Sequence, residues 1–365
     1  MRRTYLDNAA TTPMLFSVKK AIIFGLETFG NASSMYEEGR QAWKVMNNAR
    51  ETIAMKIGAK PNEIIFTSGG SEANNMVLNS FADKNIAVSA IEHPSILEPA
   101  KKFKSKIIPV DKLGRIKTID IPKSTDLVSV MFANNEIGTI QDIKKVAEIA
   151  HKSGALFHTD AVQAFGKIPI NVDEFGIDYM TMSAHKIGGP KGVGALYVRE
   201  GSPLLPLIVG GGQENGLRSG TENILAILGF AEAVRNYKFS DDSLRKKLRE
   251  EIIKQIPNVI INGDQNNCIP SILNVTFAGI EGESILLKLN GAGISVSTGS
   301  ACATKDIKSS HVLMAIGADP EKAHGSIRFS FAQENTQKDI DKVMSVLPGI
   351  VSGLRKMSTI GGKYE

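Results

Sequence analysis

Short apolar, β-branched runs alternate with amphipathic stretches from about residue 15 to residue 238, and that alternation predicts a mostly parallel sheet covered by helices. The runs at 63–67, 86–90, 106–110, 127–132, 155–159, 178–183 and 194–198 read as strands. Among the stretches between them, 36–57 reads as a helix, with Ser34 and Glu37 at capping-box spacing and Gly58 as its terminator. Past residue 238 the pattern changes to a charged helix at 241–255, short strands at 259–261, 271–277 and 326–331, and a last helix at 336–347. The expectation is an α/β chain of two packed lobes. Residues 15–238 form a large domain on a seven-stranded central sheet with helices on both faces, and residues 1–14 with 239–365 form a smaller α+β domain.

The 365 residues, 42% hydrophobic and 22% charged, are ordinary for a globular chain and enough for a large and a small domain. No run approaches the roughly 20 apolar residues that span a bilayer. Met1-Arg2-Arg3 leads straight to Thr4, Asp7 and Asn8 rather than into an apolar leader, so a soluble, cytoplasmic protein is expected. The net charge of +5 does not point to nucleic acid, because bases and acids are interspersed, as in Lys246-Lys247-Leu248-Arg249-Glu250-Glu251. The tightest basic cluster, Lys101, Lys102, Lys104 and Lys106, has only Phe103 within it for base stacking. Two cysteines, Cys268 and Cys302, build neither a disulfide framework nor a four-thiolate metal site in one chain. Sulfur chemistry would therefore rest on one thiol, and no metal is expected.

Ligands of an open parallel sheet gather beyond the carboxyl ends of its strands. Polar residues collect there: Thr67-Ser68-Gly69-Gly70-Ser71, Glu92-His93, Asn134-Asn135-Glu136, Asp160 with Gln163, and Ser183-Ala184-His185-Lys186. Gly69-Gly70-Ser71 opens a helix whose free N–H groups and dipole suit a phosphate, although a plain strand-to-helix turn needs the same small residues. Asp160 either caps a helix or pairs with a buried cation, and the protonated ring nitrogen of pyridoxal phosphate is such a cation. Lys186, ahead of Gly188-Gly189-Pro190, is either a surface lysine or a Schiff-base nucleophile. His93, before Pro94, belongs to a helix start or offers an imidazole that stacks on a pyridine ring and moves protons.

Cys302 lies in Thr298-Gly299-Ser300-Ala301-Cys302-Ala303-Thr304-Lys305, too small and polar for a core element, so its thiol reads as exposed and, near Lys305, partly thiolate. Cys268, beside Ile269-Pro270, reads as a buried and inert cysteine. Arg328 alternates with Ile327 and Phe329 on its strand and is either solvated or a fork for a carboxylate.

With these residues in this order, the chain closely resembles the cysteine desulfurases of the class V aminotransferase superfamily, enzymes of pyridoxal-phosphate fold type I. The resemblance runs from Tyr5-Leu6-Asp7-Asn8-Ala9-Ala10-Thr11-Thr12-Pro13 to the Arg328 strand. It includes Gly30-Asn31-Ala32-Ser33-Ser34, Asn134-Asn135-Glu136-Ile137-Gly138, His158-Thr159-Asp160-Ala161-Val162-Gln163, and Gly210-Gly211-Gly212-Gln213-Glu214 continuing to Arg218-Ser219-Gly220-Thr221. It implies that Lys186 carries pyridoxal 5'-phosphate, Asp160 pairs with the ring nitrogen, Gln163 binds the ring hydroxyl and His93 stacks on the ring. Asn135 would lie near the ring hydroxyl and the substrate. Gly70, Ser71, Ser183 and His185 would hold the phosphate, with Thr221 reaching in from the second subunit of a homodimer. Arg328 would grip the carboxylate of L-cysteine.

The resemblance also implies that Cys302 takes the substrate's sulfur as a persulfide, leaves alanine, and passes the sulfur to an acceptor protein of iron–sulfur cluster assembly or tRNA thiolation. Ser71 departs from the family where a threonine is commoner, and Gly189 where a tyrosine is often found, which implies altered packing at the second position. Three neighbouring readings remain. A selenocysteine lyase would share these residues, and a class V aminotransferase would keep Lys186, Asp160 and Arg328 without needing Cys302. A non-catalytic sulfur-transfer subunit would not need both Lys186 and Cys302 intact.

Overall fold

Strand β1 (Thr4–Tyr5) is followed by β2 (Ile64–Thr67), β3 (Ile86–Ser89), β4 (Ser105–Ile108), β5 (Leu127–Ser129), β6 (Leu156–Asp160), β7 (Tyr179–Ser183) and β8 (Gly194–Val198), then by β9 (Val259–Asn262), β10 (Ile272–Phe277), β11 (Ile294–Ser295) and β12 (Ser326–Ser330). The computed structural model describes residues 3–117, 121–238, 241–298, 310–358 and 364, without the side chains of 321 and 322. Cys302 and its neighbours from 299 to 309 lie outside the described residues.

Strands β2 to β8 form one sheet in the order β2-β8-β7-β6-β5-β3-β4. Only β8 runs against its neighbours; the other pairs are parallel, so the mostly parallel seven-stranded sheet expected from the sequence is present. In every strand but the edge strand β4, alternate residues enter different cores. Ile64 and Phe66 pack on one side with the helices Phe16–Gly25, Glu37–Ile57 and Ile224–Asn236, while Ile65, Val88 and Leu196 pack on the other with Gly70–Ser80 and Pro94–Ala100. Burial on both faces is what a parallel sheet with crossover helices requires.

Strands β9, β10 and β12 make a three-stranded antiparallel sheet. One of its faces, with Leu273, Val275, Phe277, Ile327 and Phe329, forms a separate core with the helices Ser243–Gln255, Gly282–Gly291 and Gln337–Met357. The start of the chain joins this part of the molecule: β1 pairs in parallel with β11, and Leu6 enters the same core. Among the described residues, no helix is long and apolar enough to cross a membrane.

Two helix ends differ from expectation. The last helix continues ten residues past 347 to Met357, with Pro348 inside it, because the buried stripe of Ile340, Val343 and Leu347 continues through Val351. The helix Glu37–Ile57 has Tyr36 at its N-cap with no side-chain bond, so Ser34 makes no capping box; its backbone N–H instead closes a turn onto the Asn31 carbonyl. Gly58 ends that helix as expected, at a φ of 72° that favours glycine.

Candidate active site

The carboxyl ends of β2, β3, β5, β6 and β7 lie along one edge of the wide sheet, and each delivers a polar group to it. β6 ends on Asp160, which is buried. Its Oδ1 accepts from the Val162 backbone N–H at 2.9 Å, and its Oδ2 accepts from Asn74 Nδ2 at 2.8 Å. Asn74 stands one turn into the helix Gly70–Ser80 and donates also to Ser95 Oγ at 2.8 Å. Ser95 Oγ lies 2.8 Å from Nδ1 of His93, the N-cap residue of the helix Pro94–Ala100. A polar chain thus links Asp160 to His93 through two residues, Asn74 and Ser95, that the sequence reading did not single out. The available signal for Asn74 is its i+4 spacing from Gly70, which puts both on one helix face.

Lys186 closes a 3-10 turn, Ala184–Lys186, that follows β7 directly. Its amine donates to the backbone carbonyls of Ala9 at 2.5 Å and Ala10 at 2.7 Å. The segment around Ala9 is fastened to both parts of the molecule. Ala9 N–H donates to Ser330 Oγ, Thr12 Oγ1 donates to the His185 carbonyl and accepts from Gly188 N–H, and Gln163 Nε2 donates to the Ala9 carbonyl at 3.0 Å.

Burial governs the charge of the histidines here. His93 is held below its ordinary value first by burial, against an upward pull from Asp160, with Lys186 and His311 adding to the fall. His185 is pushed down to about 4 by burial and then by Lys186, Lys191 and Lys167. Both are neutral imidazoles near pH 7. Glu92, next to His93, is fully buried and pushed up to about 8, so it carries its proton at that pH. Glu136, beyond β5, is raised to about 7 by burial, against the opposing effects of a hydrogen bond from Ser310 and the charge of Arg328.

Arg328, on β12, is buried and reaches this edge from the smaller sheet. Its Nη2 donates to Asp7 Oδ1 at 2.8 Å, its Nη1 donates to the Asn135 backbone carbonyl at 2.9 Å, and its Nε has no acceptor among the described residues. Asp7 is a partner that the sequence reading missed. Asn135 is therefore beside Arg328 through its backbone. Ser183 is buried at the end of β7, Gly70 begins its helix, and Ser71 is exposed next to it. Thr221 is exposed and lines a cleft of about 190 Å³ with Thr67, Ser68 and Arg218, to which Lys186 does not contribute. At Gly189 a Cβ would lie 2.8 Å from the Ala184 Cβ, so this backbone has no room for a tyrosine there. Cys268 is only partly buried, and burial raises its thiol pKa, which keeps it protonated.

The donor set fits pyridoxal phosphate. A carboxylate offers about four lone-pair directions, and Asp160 uses two on Asn74 and Val162, which leaves room for a protonated ring nitrogen. Asn74 Oδ1 is buried beside it without a donor among the described residues. At Gly69, with φ of 155°, a Cβ would meet nothing within 4 Å, so open space adjoins the helix N-terminus where an anion is favoured. Lys186 offers an amine that could take an aldehyde carbon.

Comparison with known proteins places these observations in context. The profile of the aminotransferase class-V family matches residues 4–343. A cysteine desulfurase IscS of Dictyoglomus turgidum is 45% identical over 380 residues, covering 98% of this chain and 96% of its own length. The solved structure of a NifS-like protein from Rickettsia africae superposes with a TM-score of 0.89 at 35% identity, over 96% of this chain and 100% of that one. A structure described as SspA in complex with cysteine superposes with a TM-score of 0.82 at 33% identity, over 91% and 100% of the two chains.

Proposed function

The chain belongs to the aminotransferase class-V family, and on that premise we propose that it is a cysteine desulfurase using pyridoxal 5'-phosphate, which converts L-cysteine to L-alanine and takes the sulfur onto Cys302 as a persulfide. The observation that carries this reading is that the Lys186 amine, the buried Asp160 carboxylate and the neutral His93 imidazole stand past the carboxyl ends of β7, β6 and β3, close enough for the charges of Asp160 and Lys186 to act on His93. The relative whose structure holds cysteine supports cysteine as the substrate.

When bound, pyridoxal phosphate supplies the electron sink that lets the substrate's α-carbon give up its proton. Lys186 takes that proton, and the carbonyls of Ala9 and Ala10 hold its amine in place between turnovers. Asp160 would hold the cofactor's ring nitrogen, His93 would lie against the ring, and Gln163 and Asn135 would serve its ring oxygen. Gly70, Ser71, Ser183 and His185 hold its phosphate. Arg328 turns its fork to the substrate carboxylate, exchanging its bond to Asp7 for one to the ligand. The Cys302 thiolate attacks the substrate sulfur. An S–S bond forms, the substrate's Cβ–S bond breaks, the electron pair stays with carbon, and a proton taken up there completes the methyl group of alanine. Neutral His93 is fit to move the thiol proton.

The unit at work is a homodimer, with Thr221 completing the partner's phosphate site. Exposed Phe16, Phe24, Phe29, Met35 and Val209, each more than two-thirds exposed, supply the apolar surface that such a contact covers. The sulfur goes on to an acceptor protein of iron–sulfur cluster assembly or tRNA thiolation, with no nucleic acid or membrane bound directly. Persulfide chemistry on a single thiol suits a reducing compartment such as the cytoplasm. The division into residues 15–238 and residues 1–14 with 239–365 also belongs to this proposal; the separate core of the smaller sheet and the pairing of β1 with β11 support it.

The test is incubation of the purified protein with L-cysteine and a reductant, with alanine and sulfide measured for the parent and for Cys302→Ser. Equimolar products from the parent, and their near-complete loss in the variant with cofactor still bound, are expected. A parent that makes no alanine overturns the desulfurase reading, and a variant that matches the parent overturns the role of Cys302.

A further inference from the structure

Lys167 is a second lysine buried beside the site, 7% exposed, and the chemistry above does not use it. It lies four residues after Gln163, and its amine donates to Gln163 Oε1 at 3.2 Å. Gln163 donates in turn through Nε2 to the Ala9 carbonyl at 3.0 Å, and the same carbonyl accepts from Lys186. One amine and one amide therefore meet on the Ala9 oxygen, and the second amine holds the other end of that amide.

A side-chain amide keeps nearly the same shape when turned end for end, so its orientation is set by what its two ends face. The Ala9 carbonyl accepts only, which demands the NH₂ end. A lysine ammonium donates only, which demands the oxygen end. With Lys167 in place, the flipped amide would face donor with donor and acceptor with acceptor. Keeping an amine here is costly: burial first, and then the charges of Lys186 and Arg328, push Lys167 down to about 7. His185 faces the same group, and Asp7 stands behind Arg328 as its ion-pair partner. A methionine would fill the same space without that cost, which points to a task for the amine.

We propose that Lys167 is a positioning residue for the reaction, locking the Gln163 amide with its NH₂ group toward Ala9 and Lys186 so that the second N–H of that group is held for an acceptor on the bound cofactor. This rests on the reading of the site as a pyridoxal-phosphate site. Lys167 touches neither substrate nor cofactor in this assignment and acts through Gln163.

The test needs no cysteine. The parent, Lys167→Met, Lys167→Arg, Gln163→Leu and the double variant Lys167→Met/Gln163→Leu are titrated with pyridoxal phosphate, and the visible band of the bound cofactor is followed from about pH 6 to about pH 10. Loss of Lys167 is expected to weaken cofactor binding about tenfold near pH 6, where its amine is charged and donates only, and by less above about pH 8, where an amine pushed down to about 7 is neutral and no longer fixes the amide. Lys167→Arg should recover most of the affinity, and in the Gln163→Leu background Lys167→Met should add less than about twofold. A folded Lys167→Met protein with parental affinity across this pH range, or an equal loss in both backgrounds, overturns the inference alone. Should Lys167→Met fail to fold, Lys167→Gln takes its place in the same cycle. A parent that takes up no cofactor overturns the functional reading and this inference with it.

Discussion

The wide sheet and the three-stranded sheet present their chemistry in different ways. In the wide sheet both faces are buried, so the interiors of β2, β3, β5 and β8 are apolar and functional groups stand where strands stop: Asp160 as the last residue of β6, Lys186 three residues past β7, His93 four past β3. In the smaller sheet, the face of β12 bearing Ile327 and Phe329 packs on helices. The other face alternates Ser326, Arg328 and Ser330, and Ser330 fastens the segment that carries Ala9. Arg328 thus rises from mid-strand, opposite Asn274 in the register and with Ser297 bridged on its other side. Strand ends bring several side chains to one point, which suits bond making and breaking. A mid-strand arginine is held at its base by ladder bonds on both sides, which suits a fixed grip on a charged group.

The comparison predicts separate kinetic signatures. The largest expected effect is from Lys186→Ala, which should lower kcat for alanine formation by about 10³-fold or more, since on the proposed mechanism it removes both the proton acceptor and the cofactor's anchor. Its melting temperature should stay within a few degrees of the parent's, because the side chain is only partly buried. A fall in kcat of less than tenfold would remove Lys186 from the chemistry. Arg328→Lys should instead act on binding. It keeps the charge but loses the planar fork, and KM for cysteine should rise about 10- to 100-fold, as for the loss of a charge-assisted hydrogen bond, with kcat changed by less than about fivefold. A variant that loses kcat and keeps KM would place Arg328 in the reaction step and break the division of labour between the two sheets.

The same contrast explains what could be read from the sequence. Strand ends are legible because an apolar run stops at a polar residue, and that signal makes Asp160, Lys186 and His93 candidates. The alternation around Arg328 revealed its face, but its partner Asp7 lies 321 residues away, and no local pattern joins them. Asn74 and Ser95 were missed because their importance depends on how two helices dock, which brings each to the other and to Asp160. The last helix was cut short because Pro348 reads as a stop, whereas the buried stripe on both sides of it overrides the lost hydrogen bond. Ser34 shows the converse failure: capping spacing is a necessary feature of a box, and the backbone turn at Asn31 competes for the same residues.

Glu92 tests whether every polar group at a strand end of the wide sheet serves the chemistry. It adjoins His93, yet its Oε1 accepts from Ser89 Oγ and the Met131 N–H, which joins the loops beyond β3 and β5, and its Oε2 has no partner among the described residues. These contacts describe a structural acid. Burial raises its carboxyl from an ordinary 4.5 to about 8. Between those values the folded chain holds a proton that the unfolded chain has released, so the contribution of Glu92 to stability is fully present at low pH and is lost as pH rises toward 8. Glu92→Gln is neutral throughout and keeps the acceptor oxygen. The parent should lose about 1 to 2 kcal/mol more than this variant between about pH 6 and pH 8, measured by urea unfolding at both values. Contributions from Glu136 and Lys167, which also titrate in this range, cancel in the difference between the two proteins. Activity at about pH 7 should stay within threefold of the parent's, since Glu92 is protonated there. Parallel stability profiles would show that Glu92 is already ionised in the fold, and a large loss of activity with stability intact would move it from the frame of the site into its chemistry.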